Sequence, residues 1–170
     1  MNSRTLPLIN GNPSKGTRVA AHLAALTPLP TALWRLLLVL GLPAGFTERG
    51  LTVLDIDGSG RFYPLALSVP TELAALLTLG LVRPWGETAP GWVPALGGRR
   101  IPARLVVTLA SIGTVVLLVL WTPFVLWWTL DHHDMTRTGH DVVGLLYLPL
   151  VAWGPLLGAV TLSFARRHRA

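Results

Sequence analysis

The chain has 170 residues, of which 51% are hydrophobic and 13% are charged, about half the charged share of a soluble domain. That deficit excludes an ordinary hydrated surface, and the absence of cysteine excludes disulfides and thiolate chemistry. The net charge of +6 does not point to nucleic acid, because the arginines flank apolar runs and form no dense basic block. It suits anionic lipid headgroups, where each surface cation contributes roughly 1 kcal/mol.

Residues 1–18 are polar, with Pro7, Gly11, Pro13 and Gly16, and read as a flexible cytoplasmic tail. They lack the compact apolar core and small-residue cleavage site of a signal peptide, so the first apolar run is expected to serve as its own insertion signal. A four-helix transmembrane domain is expected over residues 19–165. About 20 apolar residues at 1.5 Å each cross a ~30 Å hydrocarbon layer, and four segments qualify.

The first span is placed at about 28–45, bounded by Pro28, Pro30 and Pro43, since proline occupies a helix's first turn or ends it. Val19 to Thr27 is expected to lie along the membrane surface or to lengthen the helix. Arg35 then falls about one turn in, beside Trp34, on the cytoplasmic side. The Asp55 to Phe62 segment looks like the opening of a calcium loop, but the position needing a bidentate glutamate is Ala66. A tight turn is the preferred reading.

The second span covers 62–82 and contains Pro70 and Glu72. A charged group at mid-span costs roughly 2.5–3.5 kcal/mol on insertion scales, so it faces the bundle interior and finds a partner. Arg35 is the natural one, although the preferred reading for Arg35 is anchoring at the interface by snorkelling toward headgroups, with the ion pair to Glu72 as its alternative. Glu72 itself reads first as a structural contact, then as a proton or substrate site in a transport path, and last as an acid–base catalyst.

The connection after it carries Arg83, Trp85, Trp92, Arg99, Arg100 and Arg104 among prolines and glycines. Trp85, Trp92, Arg99, Arg100 and Arg104 are assigned to lipid-headgroup contact. Gly97 and Gly98 precede two arginines, but no Walker-type Lys-Ser/Thr follows, so nucleotide is not expected. The third span is 105–130 and the fourth 142–165, both uncharged.

Between them lies Asp131-His132-His133-Asp134-Met135-Thr136-Arg137-Thr138-Gly139-His140-Asp141. His132, His133, Asp134 and His140 are metal-ligand types, although the spacing fits no recognised set. A hydrated external loop is preferred over metal binding and over pH sensing by the histidines. Gly154 and Gly158, four apart, allow close helix packing, within the bundle or toward a homo-oligomer or membrane-protein partner. Residues 166–170 form a basic cytoplasmic C-terminus.

Ten Lys or Arg residues lie in the N-terminal tail, the middle connection and the C-terminus, against three (Arg49, Arg61, Arg137) in the other two connections. Positive residues favour the cytoplasm, so both termini and the middle connection are expected inside. No internal repeat is evident, although the halves could form a pair of hairpins.

Glu72-Leu73-Ala74-Ala75-Leu76-Leu77-Thr78-Leu79-Gly80-Leu81-Val82-Arg83-Pro84-Trp85-Gly86-Glu87, followed by Trp92-Val93-Pro94-Ala95-Leu96-Gly97-Gly98-Arg99-Arg100, resembles uncharacterised small integral membrane proteins of actinobacteria such as Streptomyces. The resemblance implies a four-span, all-α bundle in a bacterial plasma membrane and brings no activity or catalytic residue with it. The expected function is a non-enzymatic membrane component, an accessory subunit or small transporter. The alternative is a membrane-embedded enzyme acting on a lipid or isoprenoid-like substrate through Glu72. No cofactor is expected.

Overall fold

A computed structural model describes residues 12–55, 58–88, 91, 97–98 and 100–168, and these form no named strand. Seven α-helices run in chain order: α1 (Lys15–Leu26), α2 (Leu29–Val39), α3 (Glu48–Val53), α4 (Phe62–Gly80), α5 (Ala103–Trp121), α6 (Arg137–Tyr147) and α7 (Pro149–Arg167). A 3-10 stretch, Thr122–Thr129, prolongs α5. Four rods are long and apolar enough to cross a membrane: Lys15–Val39, Phe62–Gly80, Ala103–Thr129 and Arg137–Arg167. The chain is of the multi-pass membrane class.

The first rod corrects the sequence expectation. Helix begins at Lys15, capped by Ser14 Oγ accepting from the Thr17 N–H, and stops at Val39, short of the expected Gly45. Pro28 and Pro30 mark a break inside the rod and do not start it. The Ala24 carbonyl would receive the N–H of residue 28 in an unbroken helix, and proline has none. Thr27 Oγ1 donates to that carbonyl at 2.8 Å instead. Thr31 Oγ1 donates at 2.8 Å to the Pro28 carbonyl, which also accepts from the Ala32 N–H at 2.9 Å, so the rod passes Pro28 with the Ala24 carbonyl still bonded. Ala21 and Ala24 are fully buried, which removes Val19 to Thr27 from any surface position.

The fourth rod also starts earlier than expected, at Arg137, so the 131–141 connection is partly helical. Pro149 opens α7 at the junction with α6. α7 is the central element, burying Leu150, Trp153, Leu157, Val160, Thr161 and Phe164 at helical spacing. α5 buries no residue. Leu109, Ile112, Val115 and Val119 are all more than half exposed, an apolar outer surface that lipid accepts and water does not.

The two connections at one end of the bundle clasp each other. Phe46 and Met135 form an antiparallel bridge. The Thr47 N–H and Oγ1 both donate to the Asp134 carbonyl, at 3.0 and 3.1 Å. The Thr136 N–H and Oγ1 both donate to the Gly45 carbonyl, at 2.9 and 3.1 Å. Each threonine also caps its helix, accepting from the N–H of Gly50 or Gly139. A Cβ on Gly50 would overlap the Asp134 carbonyl, and one on Gly139 would overlap the Gly45 carbonyl.

Exchanging 45–50 for 134–139 reproduces every one of these bonds. The connections of the two hairpins are therefore related by a local two-fold exchange, a match not expected from the sequence. The sequence trace is Thr-x-x-Gly at Thr47 and at Thr136, followed by Pro-x5-Pro at Pro64/Pro70 and at Pro149/Pro155. Thr47 to Pro64 is 17 residues and Thr136 to Pro149 is 13. The first hairpin breaks between α3 and α4, where the second runs on from α6 into α7 through Leu148 alone.

At the opposite end, Arg18, Arg83 and Arg167 line one polar recess with Glu87 and His168. The three Arg-rich segments therefore share one end of the bundle, and the clasp occupies the other.

Candidate functional site

The polar core of the bundle is assembled by α2, α4 and the α6–α7 junction. Arg35 lies in the last turn of α2, four residues before Val39. It is therefore near the clasp end and not one turn into the rod from the N-terminal side. The cause is the early start of the helix at Lys15. The guanidinium is 9% exposed; its Nε donates to Tyr147 Oη at 3.3 Å and its Nη1 to Ser68 Oγ at 3.5 Å. It also lies 5.7 Å from the centre of the Tyr147 ring, within cation–π range.

Ser68 and Glu72 are one turn apart on α4 and so share a face. Glu72 forms no direct ion pair among the described residues. Its Oε1 is buried without a hydrogen-bond partner. Glu72 lines neither of the two main clefts. The sequence brought Arg35 and Glu72 forward, and the structure brings both to one site.

Tyr147 and Ser68 complete that site and were missed. Tyr147 contacts the rings of Trp34 (5.7 Å), Trp121 (6.0 Å) and Phe124 (5.6 Å). The signal that could have found it is its depth in the fourth span, where a phenol hydroxyl needs an internal partner. The aromatic chain continues through Trp127, stacked on Phe124 at 4.9 Å and on His132 at 3.8 Å. Trp34 Nε1 donates to the Ala44 carbonyl at 2.8 Å, and Trp127 Nε1 to the His140 carbonyl at 3.0 Å. These indoles tie the clasp to the spans.

The metal candidates have other occupations. His132 Nδ1 contacts the Leu130 carbonyl at 3.0 Å, and His140 Nδ1 lies 3.4 Å from Asp141. Asp134 faces Arg49 at 4.0 Å in an exposed pair, and His133 is exposed. Among the described residues no three His, Asp or Glu side chains are grouped to hold a metal. In the calcium-like segment, Asp55 Oδ2 accepts from the Gly60 N–H at 3.1 Å and from Ser59 Oγ at 3.4 Å. Its carboxylate thus serves the turn.

Of the headgroup candidates, Trp92 and Arg99 lie outside the described residues. Arg100 and Arg104 are exposed, and Trp85 is half-buried with its ring seated on Gly80. Gly154 packs against Leu118 and Gly158 against Thr114, so the small-residue pair serves contact between α7 and α5.

A second cleft of about 600 Å³ opens between α4 and α5, with Trp153 and Leu157 of α7 at its floor. Its lining is almost wholly apolar. Comparison with known protein families, with curated proteins and with solved structures found no match to this chain.

Proposed function

We propose that the chain is a non-enzymatic component of a bacterial plasma membrane, with both termini and the middle connection in the cytoplasm, acting as an accessory subunit. The observation that carries this reading is the engagement of Arg35 in the interior. It is spent on Tyr147 and Ser68, ligands that join three rods, and Glu72 lines neither the polar recess nor the apolar cleft. A transport path needs water at the carboxylate, and an acid–base catalyst needs reach to a substrate. The resemblance to small actinobacterial membrane proteins is in keeping with the bacterial assignment.

The orientation rests on the ten-to-three split of basic residues. Its test uses the absence of native cysteine. Single cysteines at Ser59 and Asp131 should react with an impermeant maleimide in intact cells. Cysteines at Thr88 and His168 should react only after permeabilisation, and the reverse pattern overturns the orientation. For the function, purification from the native membrane in mild detergent should retain a second membrane protein at fixed stoichiometry. Recovery of the chain alone, with proton or solute flux in vesicles lost in Glu72→Gln, would replace the accessory reading with transport.

A further inference from the structure

The two-fold relation between the connections, carried along the hairpins, makes two seams equivalent, and only one is closed. α1 packs along α7; Ala21 and Ala24 meet Val160 and Phe164 in one core, and Thr17 Oγ1 lies 3.0 Å from Ser163 Oγ. The matching seam, α4 against α5, is the apolar cleft. It runs along α5 from Leu105 to Leu117, about 18 Å at 1.5 Å per residue, and so roughly spans one leaflet of a ~30 Å hydrocarbon core.

The mouth of this cleft is formed by Leu81, Trp85, Gly86 and Ile101, at the Arg-rich end. Arg100 precedes Ile101 and Arg104 precedes Leu105, both lining residues of the cleft, whereas Arg83 belongs to the polar recess with Glu87. Arg100 and Arg104 are exposed, and neither forms an ion pair among the described residues. The carboxylate Glu87 faces His168 at 3.4 Å. An apolar slot one leaflet deep, with two cations next in the chain to its lining residues, complements a molecule with an acyl tail and an anionic head. A partner's transmembrane helix would fill the slot but leave those charges unanswered.

We infer that the α4–α5 cleft is a binding site for one anionic phospholipid, its acyl chain between Leu109, Gly113 and Leu157 and its phosphate on Arg100 and Arg104. The site goes beyond the function proposed above and depends only on the chain residing in a bilayer. It holds whichever way the termini face and whether or not a partner protein exists.

Native mass spectrometry of the full chain, titrated with phosphatidylglycerol or phosphatidylcholine, tests it. One phosphatidylglycerol should stay bound at a collision energy that strips phosphatidylcholine. Neutralising either arginine to glutamine should weaken binding about fivefold, and R100Q/R104Q roughly 25-fold. Gly113→Phe and Leu109→Trp should each abolish it. Leu109 is 60% exposed, so its replacement keeps the test intact if Gly113→Phe does not fold. Equal retention of both lipids overturns the inference, as does binding untouched by the two cleft variants. So does a dimer of the chain that Leu109→Trp dissociates, since a second copy would then be the occupant.

Discussion

Arg35 is the residue on which most of the interior depends, because removing it strands several groups at once. Tyr147→Phe deletes only the hydroxyl that receives Arg35 Nε and should cost about 1 kcal/mol, near the upper range of interhelical hydrogen bonds in membranes. Tyr147→Leu also removes three aromatic contacts, each worth ~0.5–1.5 kcal/mol, and should cost about 2–4 kcal/mol. Thermal loss of helicity in micelles ranks the two; equal losses would assign the role to the hydroxyl alone. Arg35→Met and Glu72→Gln should couple, the double variant losing less than the sum of the singles by at least ~0.5 kcal/mol. Additive losses would mean that the two groups do not sense each other. Arg35 and Glu72 were legible because charge inside an apolar run is conspicuous at any position. Ser68 and Tyr147 were not, since an ordinary polar residue acquires meaning there only once a guanidinium is known to face it.

Among the elements, the clasp carries the most specific sequence requirement. Gly50 and Gly139 stand against carbonyl oxygens of the opposite connection, so a methyl group must push two backbones apart. Gly50→Ala and Gly139→Ala should each destabilise by ~1–3 kcal/mol, the usual range for an overpacked contact. Gly91→Ala, where no described residue lies within 4 Å, should be neutral in the same melting assay. Thr47→Val and Thr136→Val lose a helix cap and a bond across the clasp, and each should cost about 1 kcal/mol. A pronounced difference between the two glycine variants would contradict the two-fold exchange. That relation escaped the sequence because Thr-x-x-Gly is an ordinary helix start. The four-residue difference between hairpins, moreover, shifts the second matching motif out of register. The early start of α1 was hidden for a related reason. Proline reads as a boundary, whereas here the Thr27 hydroxyl bonds the Ala24 carbonyl that Pro28 leaves without its helical partner, and the rod continues.

For the whole molecule, four spans were legible because run length and apolarity suffice for them, whereas the order of the rods around the bundle was not. Neighbours in a lipid-embedded bundle are chosen by small residues and shape, since every apolar surface is equally content with lipid. The structure gives α4, α1, α7 and α5 in sequence around the bundle, with contact between each successive pair and a cleft where α5 returns to α4. A disulfide needs Cα atoms within about 7 Å; the Thr17 and Ser163 hydroxyls are 3.0 Å apart across the closed seam, whereas Ala74 and Leu109 have the cleft between them. With no native cysteine to scramble, T17C/S163C should cross-link under mild oxidation in membranes, while A74C/L109C, on facing walls of the cleft, should stay reduced. Cross-linking of both pairs would mean that the open seam closes in the bilayer, so that the two hairpins pack with full two-fold symmetry. Cross-linking of A74C/L109C only after delipidation would instead show that lipid holds the seam apart, and that the asymmetry of the bundle is set by what occupies it.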